Sequence, residues 1–183
     1  MNSDSDLLWA EQKRKQLLKT PVMTVMETES ISPKGTKGSY IIMDAPDWAI
    51  VIPVIGSKFL MVKQWRHGEQ GLSIEFPGGV IESGETADAA AGRELKEETG
   101  YTARHLVKLG SINPNPALMS NHVHIYAAFD LQKSGGQNLD PDEYINCFEL
   151  EKNDVYRNMG SKTYPHALMC SALFLYRQYE AEK

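Results

Sequence analysis

The stretch that decides the fold is GVIESGETADAAAGRELKEETGY, residues 79–101. Thr86 is a suitable N-cap residue, and the alanines that follow it are strong helix formers. Gly100 stands where a helix commonly ends in a left-handed glycine. The stretch therefore predicts a helix over residues 86–99.

Three carboxylates lie close together on this predicted helix. They are Glu94, Glu97 and Glu98, at positions i, i+3 and i+4 of one face. Because like charges this close repel one another, the face needs a cation. An all-oxygen cluster suits Mg2+, with Mn2+ as a substitute, better than zinc. The alternative is an ordinary solvated helix. The glycines, Glu85 and Arg93 argue against it, because together with the three glutamates they fill the fixed positions of one sequence motif.

The composition excludes several classes of protein. With 183 residues, 42% of them hydrophobic, the chain fits one domain with a substantial core. A net charge of −5 argues against broad binding to nucleic-acid backbones, which requires a basic surface. Cys147 and Cys170 do not form a disulfide framework, no signal peptide is recognised, and no apolar run reaches membrane-spanning length. We therefore expect a cytoplasmic protein with no membrane partner.

Hydrophobic alternation and turn residues predict the remaining elements. Residues 5–18 favour a short surface helix, followed by a hairpin of two strands over 22–29 and 39–43. Further strands are predicted over 48–55, 59–65, 73–76, 103–112, 122–131 and 144–150. Short helices are predicted over 153–159 and 165–179, the second with Pro165 in its first turn. Mixed strands with helices on either side indicate an α/β sandwich.

The glycine loop, the helix and its acidic face together resemble the signature of the Nudix hydrolases. These enzymes act on nucleoside diphosphates linked to another group. The resemblance implies an α/β fold of the Nudix type, an α/β/α sandwich with a mixed sheet, carrying here an N-terminal β-hairpin extension. We accordingly expect residues 1–45 to form a helix and hairpin extension, a candidate dimerisation arm, and residues 46–183 to form the hydrolase domain.

The resemblance also implies roles for the residues of the motif. In Nudix enzymes the matching glutamates are the usual metal ligands, often joined by a backbone carbonyl of the glycine loop. The implied ligands are Gly78, Glu94, Glu97 and Glu98. Arg93 is expected to pair with Glu85 or Glu97 and so hold the loop against the helix, a structural role for Arg93 and Glu85.

The flanking sequence resembles the ADP-ribose and nucleoside diphosphate sugar pyrophosphatase branch. The matching stretches are Val62–Arg66, Glu75–Gly79 and Pro116. The implied substrate-binding residues are Arg66, Glu75 and Pro116. The branch also carries an acidic residue in the loop before the last strand, where this chain offers Asp140, Asp142 and Glu143. Glu143 is preferred because it directly precedes the strand, and the implied catalytic residues are Glu97, Glu98 and Glu143.

One segment departs from the branch. After Pro116 the branch commonly continues with Gly-Phe-Ser, whereas this chain has Ala117-Leu118-Met119. This difference keeps GDP-mannose open as a substrate beside ADP-ribose. His122 and His124 could meet substrate, but histidines in a strand are more often packed or hydrogen-bonded, and two alone do not make a zinc site.

The chain is therefore predicted to hydrolyse a nucleoside diphosphate sugar, with Mg2+, to a nucleoside monophosphate and a sugar phosphate. A first alternative is a Nudix hydrolase acting on RNA 5′ ends or nucleoside triphosphates, although the acidic composition disfavours nucleic acid. A second is a non-catalytic nucleotide-binding module of Nudix fold, which the complete set of glutamates disfavours. By resemblance we expect a homodimer, in which Trp9 or Trp48 could stack on the base.

Overall fold

The acidic helix is present in the computed structural model of the protein, which describes residues 3–183. This helix, α1, spans Ala87–Thr99, with Thr86 at the N-cap position. Gly100 ends it in the left-handed region, at a φ of 75°, and donates its N–H to the carbonyl of Lys96. Both predicted ends of the helix are confirmed.

The chain divides into two compact units. The N-terminal unit contains the residues up to Pro46 together with Asn113–His122. It carries a short 3-10 helix and a three-stranded antiparallel sheet in the order β1-β2-β3. The elements are the 3-10 helix Asp4–Leu7, β1 Ala10–Lys19, β2 Thr24–Ile31 and β3 Lys37–Asp44.

The prediction of a helix over residues 5–18 is wrong, and the predicted hairpin has a third strand. Most of that segment is strand β1, which pairs with β2 from Ala10 opposite Ile31 to Lys19 opposite Thr24. The glutamine, lysine and leucine residues of β1 are good helix formers, but pairing along the edge of β2 overrides that weak preference. The ladder shifts register twice within β1, as bulges do on edge strands.

The main unit contains Asp47–Ile112 and Val123–Lys183 and holds a mixed seven-stranded sheet. Its strands are β4 Trp48–Ile55, β5 Lys58–Arg66, β6 Gly71–Glu75, β7 Gly78–Val80, β8 Tyr101–Ile112, β9 Val123–Lys133 and β10 Asn146–Glu151. The main order is β10-β5-β4-β9-β8, with β6 on β5 and β7 on β4. The pair of β4 and β9 is parallel and the others are antiparallel.

Two further helices complete this unit, α2 Lys152–Asn158 and α3 Ala167–Ala181. Pro165 lies before α3 and not in its first turn, because His166 occupies the N-cap position. The last strand likewise begins at Asn146 and not at 144 as predicted. Among the described residues no helix is long and apolar enough to cross a membrane.

The side chains of β4 alternate between two hydrophobic cores. Ile50 and Ile52 pack in the core that contains Met169 and Leu173 of α3. The neighbouring positions, Ala49 and Val51, face the opposite way and pack in the core shared with α1. The sheet of this unit therefore lies between α1 and the other two helices, which confirms the predicted α/β/α sandwich.

Candidate active site

The acidic face of α1 is turned toward the protein and not toward solvent. Glu98 is 2% exposed and Glu94 is 9% exposed, whereas Glu97 is half-buried. A solvated helix face would leave such carboxylates in water. Two glutamates buried on one helix face indicate a site that is built to hold charge.

The glycine loop lies directly against these carboxylates. Strand β7 pairs with β4, and the N–H of Val51 donates to the carbonyl of Pro77 at 2.9 Å, which fixes the loop at the edge of the sheet. The backbone N–H of Gly78 donates to Oε2 of Glu98, also at 2.9 Å. The loop and the helix are thus joined at the most deeply buried carboxylate.

Arg93 joins the two parts of the motif. Its Nε and Nη2 donate to both carboxylate oxygens of Glu85 at 3.0 Å, and Nη2 also donates to the carbonyl of Val80 at 2.9 Å. Its Nη1 donates to Oε1 of Glu94 at 2.8 Å and to Oε2 of Glu97 at 2.9 Å. The hydrogen bonds to Glu85 raise the pKa of Arg93 and lower that of Glu85. The guanidinium therefore holds the loop against the helix, and the Arg93 side chain is only partly exposed, at 26%.

The buried carboxylates are costly to ionise in the absence of a cation. The pKa of Glu98 is raised to about 8, mainly by burial. The N–H of Gly78 opposes this rise by favouring the charged form, and the charges of Glu94 and Glu143 contribute to it. Burial also raises the pKa of Glu94, and the hydrogen bond and charge of Arg93 oppose this rise. A divalent cation would reverse this penalty by favouring the charged forms.

The carboxylate oxygens that are not hydrogen-bonded to Arg93 or Gly78 are suited to binding such a cation. Each of the three carboxylates keeps one oxygen without a hydrogen-bond partner among residues 3–183. These atoms are Glu94 Oε2, Glu97 Oε1 and Glu98 Oε1. Within the described chain no three acidic, histidine or cysteine side chains already converge on one point as a metal site would require. The donor chemistry therefore fits Mg2+, and binding would require small movements of these side chains.

Arg66 and Glu75 form a second charged pair next to the loop. Nε of Arg66 donates to Oε1 of Glu75 at 2.8 Å, and Nη2 donates to the other oxygen, so the pair is bidentate. Glu75 is fully buried; burial opposes its ionisation, but Arg66 outweighs that effect and lowers its pKa. The Nη1 atom of Arg66 has no hydrogen-bond partner among residues 3–183, and Arg66 lines a cavity together with Gly78 and Gly79.

Glu143 is exposed in the loop before β10, and its charge acts on Glu94, Glu98 and Arg66. Its carboxylate accepts the N–H of Asp140 at 3.2 Å. The same loop is tethered to α1 by Gln137, whose Nε2 donates to the carbonyls of Glu98 and of Ile145. Asp140 and Asp142 are exposed turn residues.

The remaining predicted residues lie elsewhere. Pro116 is in an exposed turn of the N-terminal unit, so its contact with substrate stays a prediction. His124 pairs with Asp47 at 3.1 Å, as a hydrogen-bonded strand histidine would. Trp9 packs edge-on against Tyr40, and Trp48 lines the cavity beside the glycine loop. His166, which no sequence motif marks, lines the same cavity.

Gly79 leaves room for the Glu94 carboxylate, and a methyl group there should displace it. A Cβ at position 79 would lie 2.4 Å from Oε1 of Glu94. We expect Gly79→Ala to lower kcat by roughly 10-fold to 100-fold, because a displacement of about 1 Å is costly in a catalytic site. Stability should change little, because a side-chain tip can move away. Kinetics and thermal unfolding of the variant measure both effects.

Gly92→Ala is the matched control for this variant. It adds the same methyl group to α1, where the nearest atom would be 3.8 Å away on Leu106. It should keep full activity and gain about 0.4–1 kcal/mol of stability. Equal activity losses in the two variants would contradict the placement of Glu94.

The raised pKa of Glu98 predicts a pH dependence of stability in the metal-free protein. Between the ordinary pKa of 4.5 and about 8, the unfolded chain ionises Glu98 and the folded chain does not. Stability is therefore lost as the pH rises through this window, by roughly 2–5 kcal/mol. Urea unfolding in a chelator at pH 5, 7 and 9 should show wild type weakening relative to Glu98→Gln. Parallel pH profiles for the two proteins would refute this assignment.

Comparisons with known proteins agree with this geometry. Residues 45–166 match the NUDIX domain family. The ADP-ribose pyrophosphatase of Bacillus subtilis is 30% identical over 81% of this chain and 82% of its own length. The ADP compounds hydrolase NudE of Escherichia coli is 28% identical over 71% of this chain and 69% of its own. A solved structure described as an ADP compounds hydrolase superposes with a TM-score of 0.83 at 22% identity, covering 93% of each chain.

Proposed function

This chain belongs to the Nudix family of pyrophosphohydrolases, and we propose that it hydrolyses the pyrophosphate bond of a nucleoside diphosphate sugar. The products would be a nucleoside monophosphate and a sugar phosphate. The observation that carries the proposal is the buried pair of Glu94 and Glu98 against the Gly78–Gly79 backbone. ADP-ribose is the first substrate to test, because curated relatives are named for it, and GDP-mannose is the second.

The site residues fit a divalent metal, and Mg2+ is the ion we propose. Glu94, Glu97 and Glu98 would hold it through their unpartnered oxygens, with the carbonyl of Gly78 as a fourth donor. When bound, Mg2+ neutralises charge on the diphosphate oxygens and makes water a stronger acid.

The protein supplies the remaining parts of the chemistry. The free Nη1 of Arg66 can donate to a phosphate oxygen while Glu75 holds the guanidinium in place. A carboxylate that receives the proton of the attacking water must be able to reach the site, and Glu97, Glu98 and Glu143 are the candidates. Glu143 is the most exposed of these, and the tether through Gln137 ties its loop to α1.

Product analysis tests the bond that is broken. With ADP-ribose and Mg2+, we expect AMP and ribose 5-phosphate, and no turnover in excess EDTA. Release of ADP or of inorganic phosphate would contradict cleavage between the two phosphorus atoms. Turnover that is unaffected by EDTA would contradict the role given to Glu94, Glu97 and Glu98.

We also propose that the protein is a homodimer formed through its N-terminal unit. In this proposal residues 1–45 are the dimerisation arm and residues 46–183 are the hydrolase domain. Strand β1 is exposed along its whole length and forms an edge of its sheet. Exposed large apolar side chains also gather in this unit: Leu7, Leu8, Trp9, Leu17, Leu18, Val22, Tyr40 and Ile41. An open edge strand and apolar surface of this kind are normally covered by a partner.

The dimer predicts a mass in solution of twice 20.5 kDa. Light scattering should show this mass for wild type, and Leu18→Lys should shift the population toward monomer, because it places a charge among apolar side chains. Phe174→Lys is the matched control, since Phe174 is exposed to a similar extent, 61% against 56% for Leu18, but lies on α3. A monomeric wild type would rule the dimer out.

A further inference from the structure

A cavity of about 240 Å³ opens beside the glycine loop of the main unit. Its lining includes Gly78, Gly79, Arg66, His166 and the half-buried Trp48. Sites that enclose a whole drug-sized ligand measure roughly 300–1,000 Å³. This cavity is therefore of a size for one part of a nucleoside diphosphate sugar, such as a single sugar ring.

The protonation of His166 is fixed by the start of α3. Nδ1 of His166 accepts the backbone N–H of Leu168 at 3.2 Å. A ring nitrogen that accepts a hydrogen bond carries no proton, so the neutral ring has its proton on Nε2. Burial lowers the pKa of His166, which favours this neutral ring. Nε2 is therefore an N–H donor, and it has no partner among residues 3–183.

The segment that carries His166 is anchored to the strand that carries Glu75. The N–H of Ile74 donates to the carbonyl of Thr163 at 3.0 Å, and the N–H of Phe76 contacts Sδ of Met169 at 3.2 Å. These two contacts bracket Glu75 on β6 and His166 on the facing segment. The imidazole is thus held in a fixed position relative to the ion pair of Arg66 and Glu75.

The three polar side chains that line the cavity, those of His166, Arg66 and Trp48, carry hydrogen-bond donors. The donors are the Nε2–H of His166, the unpartnered Nη1 of Arg66 and the indole N–H of Trp48. A sugar presents hydroxyl oxygens that can accept such hydrogen bonds, and its C–H faces can pack on an indole ring. The edge of an adenine also needs acceptors for its amino group, which these side chains do not offer. The cavity is better suited to the sugar than to the base.

We propose that His166 binds the sugar of the diphosphate sugar and is a determinant of substrate specificity. Its Nε2–H donates to a sugar oxygen while the ring packs in the cavity with Trp48, and Arg66 holds the adjoining phosphate. This inference rests on the proposed function, because it assigns the sugar half of that substrate to this cavity. It adds a recognition residue that lies outside the acidic motif.

His166→Asn separates recognition from structure. Asparagine is among the best N-cap residues, so its side-chain oxygen can still accept the N–H of Leu168. It is too short to place a donor where Nε2 lies. We expect the KM for ADP-ribose to rise roughly 3-fold to 10-fold, the worth of one neutral hydrogen bond. The melting temperature and kcat should stay close to wild type, and the Ki of ADP, which lacks the terminal sugar, should not change.

His105→Asn is the matched control, since His105 is an exposed histidine that pairs with Asp130; it should leave all of these constants unchanged. An unchanged KM in His166→Asn would overturn the proposal. A parallel rise in the Ki of ADP would also overturn it, because the effect would then lie outside the sugar.

A binding measurement keeps this inference distinct from the proposed function. Ribose 5-phosphate is titrated into wild type while the imidazole nitrogen resonances of His166, assigned by their loss in His166→Asn, are followed by NMR. We expect the Nε2 resonance to shift and Nδ1 to stay in its acceptor form. No shift at saturating ribose 5-phosphate would overturn the role of His166, whether or not the protein turns over ADP-ribose. Failure of turnover with an intact shift would count against the proposed reaction alone.

Discussion

Replacing Glu98 by glutamine is expected to lower kcat by roughly 10³-fold or more while leaving the fold intact. Glu98 is the most deeply buried of the three glutamates on α1, at 2% exposure, and its Oε2 accepts the N–H of Gly78. Glutamine has nearly the same shape, and its amide oxygen can still accept that N–H. The substitution therefore removes the charge and little else.

The loss should appear in kcat and in the dependence on Mg2+. A neutral side chain at position 98 weakens the site for a divalent cation, so higher Mg2+ should recover only part of the rate. Stability should stay equal or rise at neutral pH, because a buried carboxylate is no longer present. Steady-state kinetics over a range of Mg2+ and urea unfolding measure the two sides of this expectation.

Glu82→Gln is the matched control. Glu82 belongs to the same loop and motif stretch but is exposed to solvent. It should keep activity within about 2-fold, as surface substitutions commonly do. Near-normal turnover in Glu98→Gln would mean that the metal site has been assigned to the wrong residues.

Among the substitutions described, breaking the ion pair of Arg66 and Glu75 is expected to lower stability the most. Glu75 is fully buried, so Arg66→Met would leave its charge without a partner. Losing one partner of a buried pair costs about 3–5 kcal/mol. Because the Arg66 side chain is 40% exposed and water can reach it, we expect a smaller loss of about 2–3 kcal/mol. Urea unfolding measures this loss directly.

The double variant Arg66→Met/Glu75→Gln tests the cause of that loss. With no charge left at position 75, most of the lost stability should return, while activity stays low because the phosphate contact of Arg66 is still absent. Equal instability of the single and double variants would show that Arg66 stabilises the protein by packing and not through its charge.

Much of the main unit could be predicted because its signals are local. The spacing of Glu94, Glu97 and Glu98 depends only on helical geometry. The C-terminal end of α1 follows from Gly100, and Thr86 occupies the N-cap position without a side-chain capping hydrogen bond. The alternating faces of β4 follow from a run of buried apolar residues in a sheet that has helices on both sides. Features of this kind need no knowledge of distant contacts.

The N-terminal segment could not be predicted in the same way. Residues 10–19 have helical propensity but no strong apolar periodicity, so pairing with β2 decides their structure. That pairing depends on residues up to 21 positions away, as in the match of Ala10 with Ile31. Local propensity carries no information about such a partner.

The charged residues outside the motif show the same limit. The resemblance implied that Glu75 binds substrate, which stays a prediction, whereas its burial and its ion pair with Arg66 follow from the pairing of β5 with β6. The N-cap role of His166 could not be predicted either, because it depends on α3 beginning at Ala167. Both arrangements arise from packing between elements that are distant in sequence.

The most direct test of the central claim is a substrate panel with purified protein, Mg2+ and a coupled phosphatase. The panel contains ADP-ribose, GDP-mannose, UDP-glucose, a dinucleoside polyphosphate, nucleoside triphosphates and a 5′-triphosphate RNA. We expect Mg2+-dependent turnover of a diphosphate sugar, with ADP-ribose among the best substrates. Turnover of only RNA ends or triphosphates would contradict the substrate class within the same family. No turnover of any compound by folded protein would contradict catalysis and favour a nucleotide-binding module.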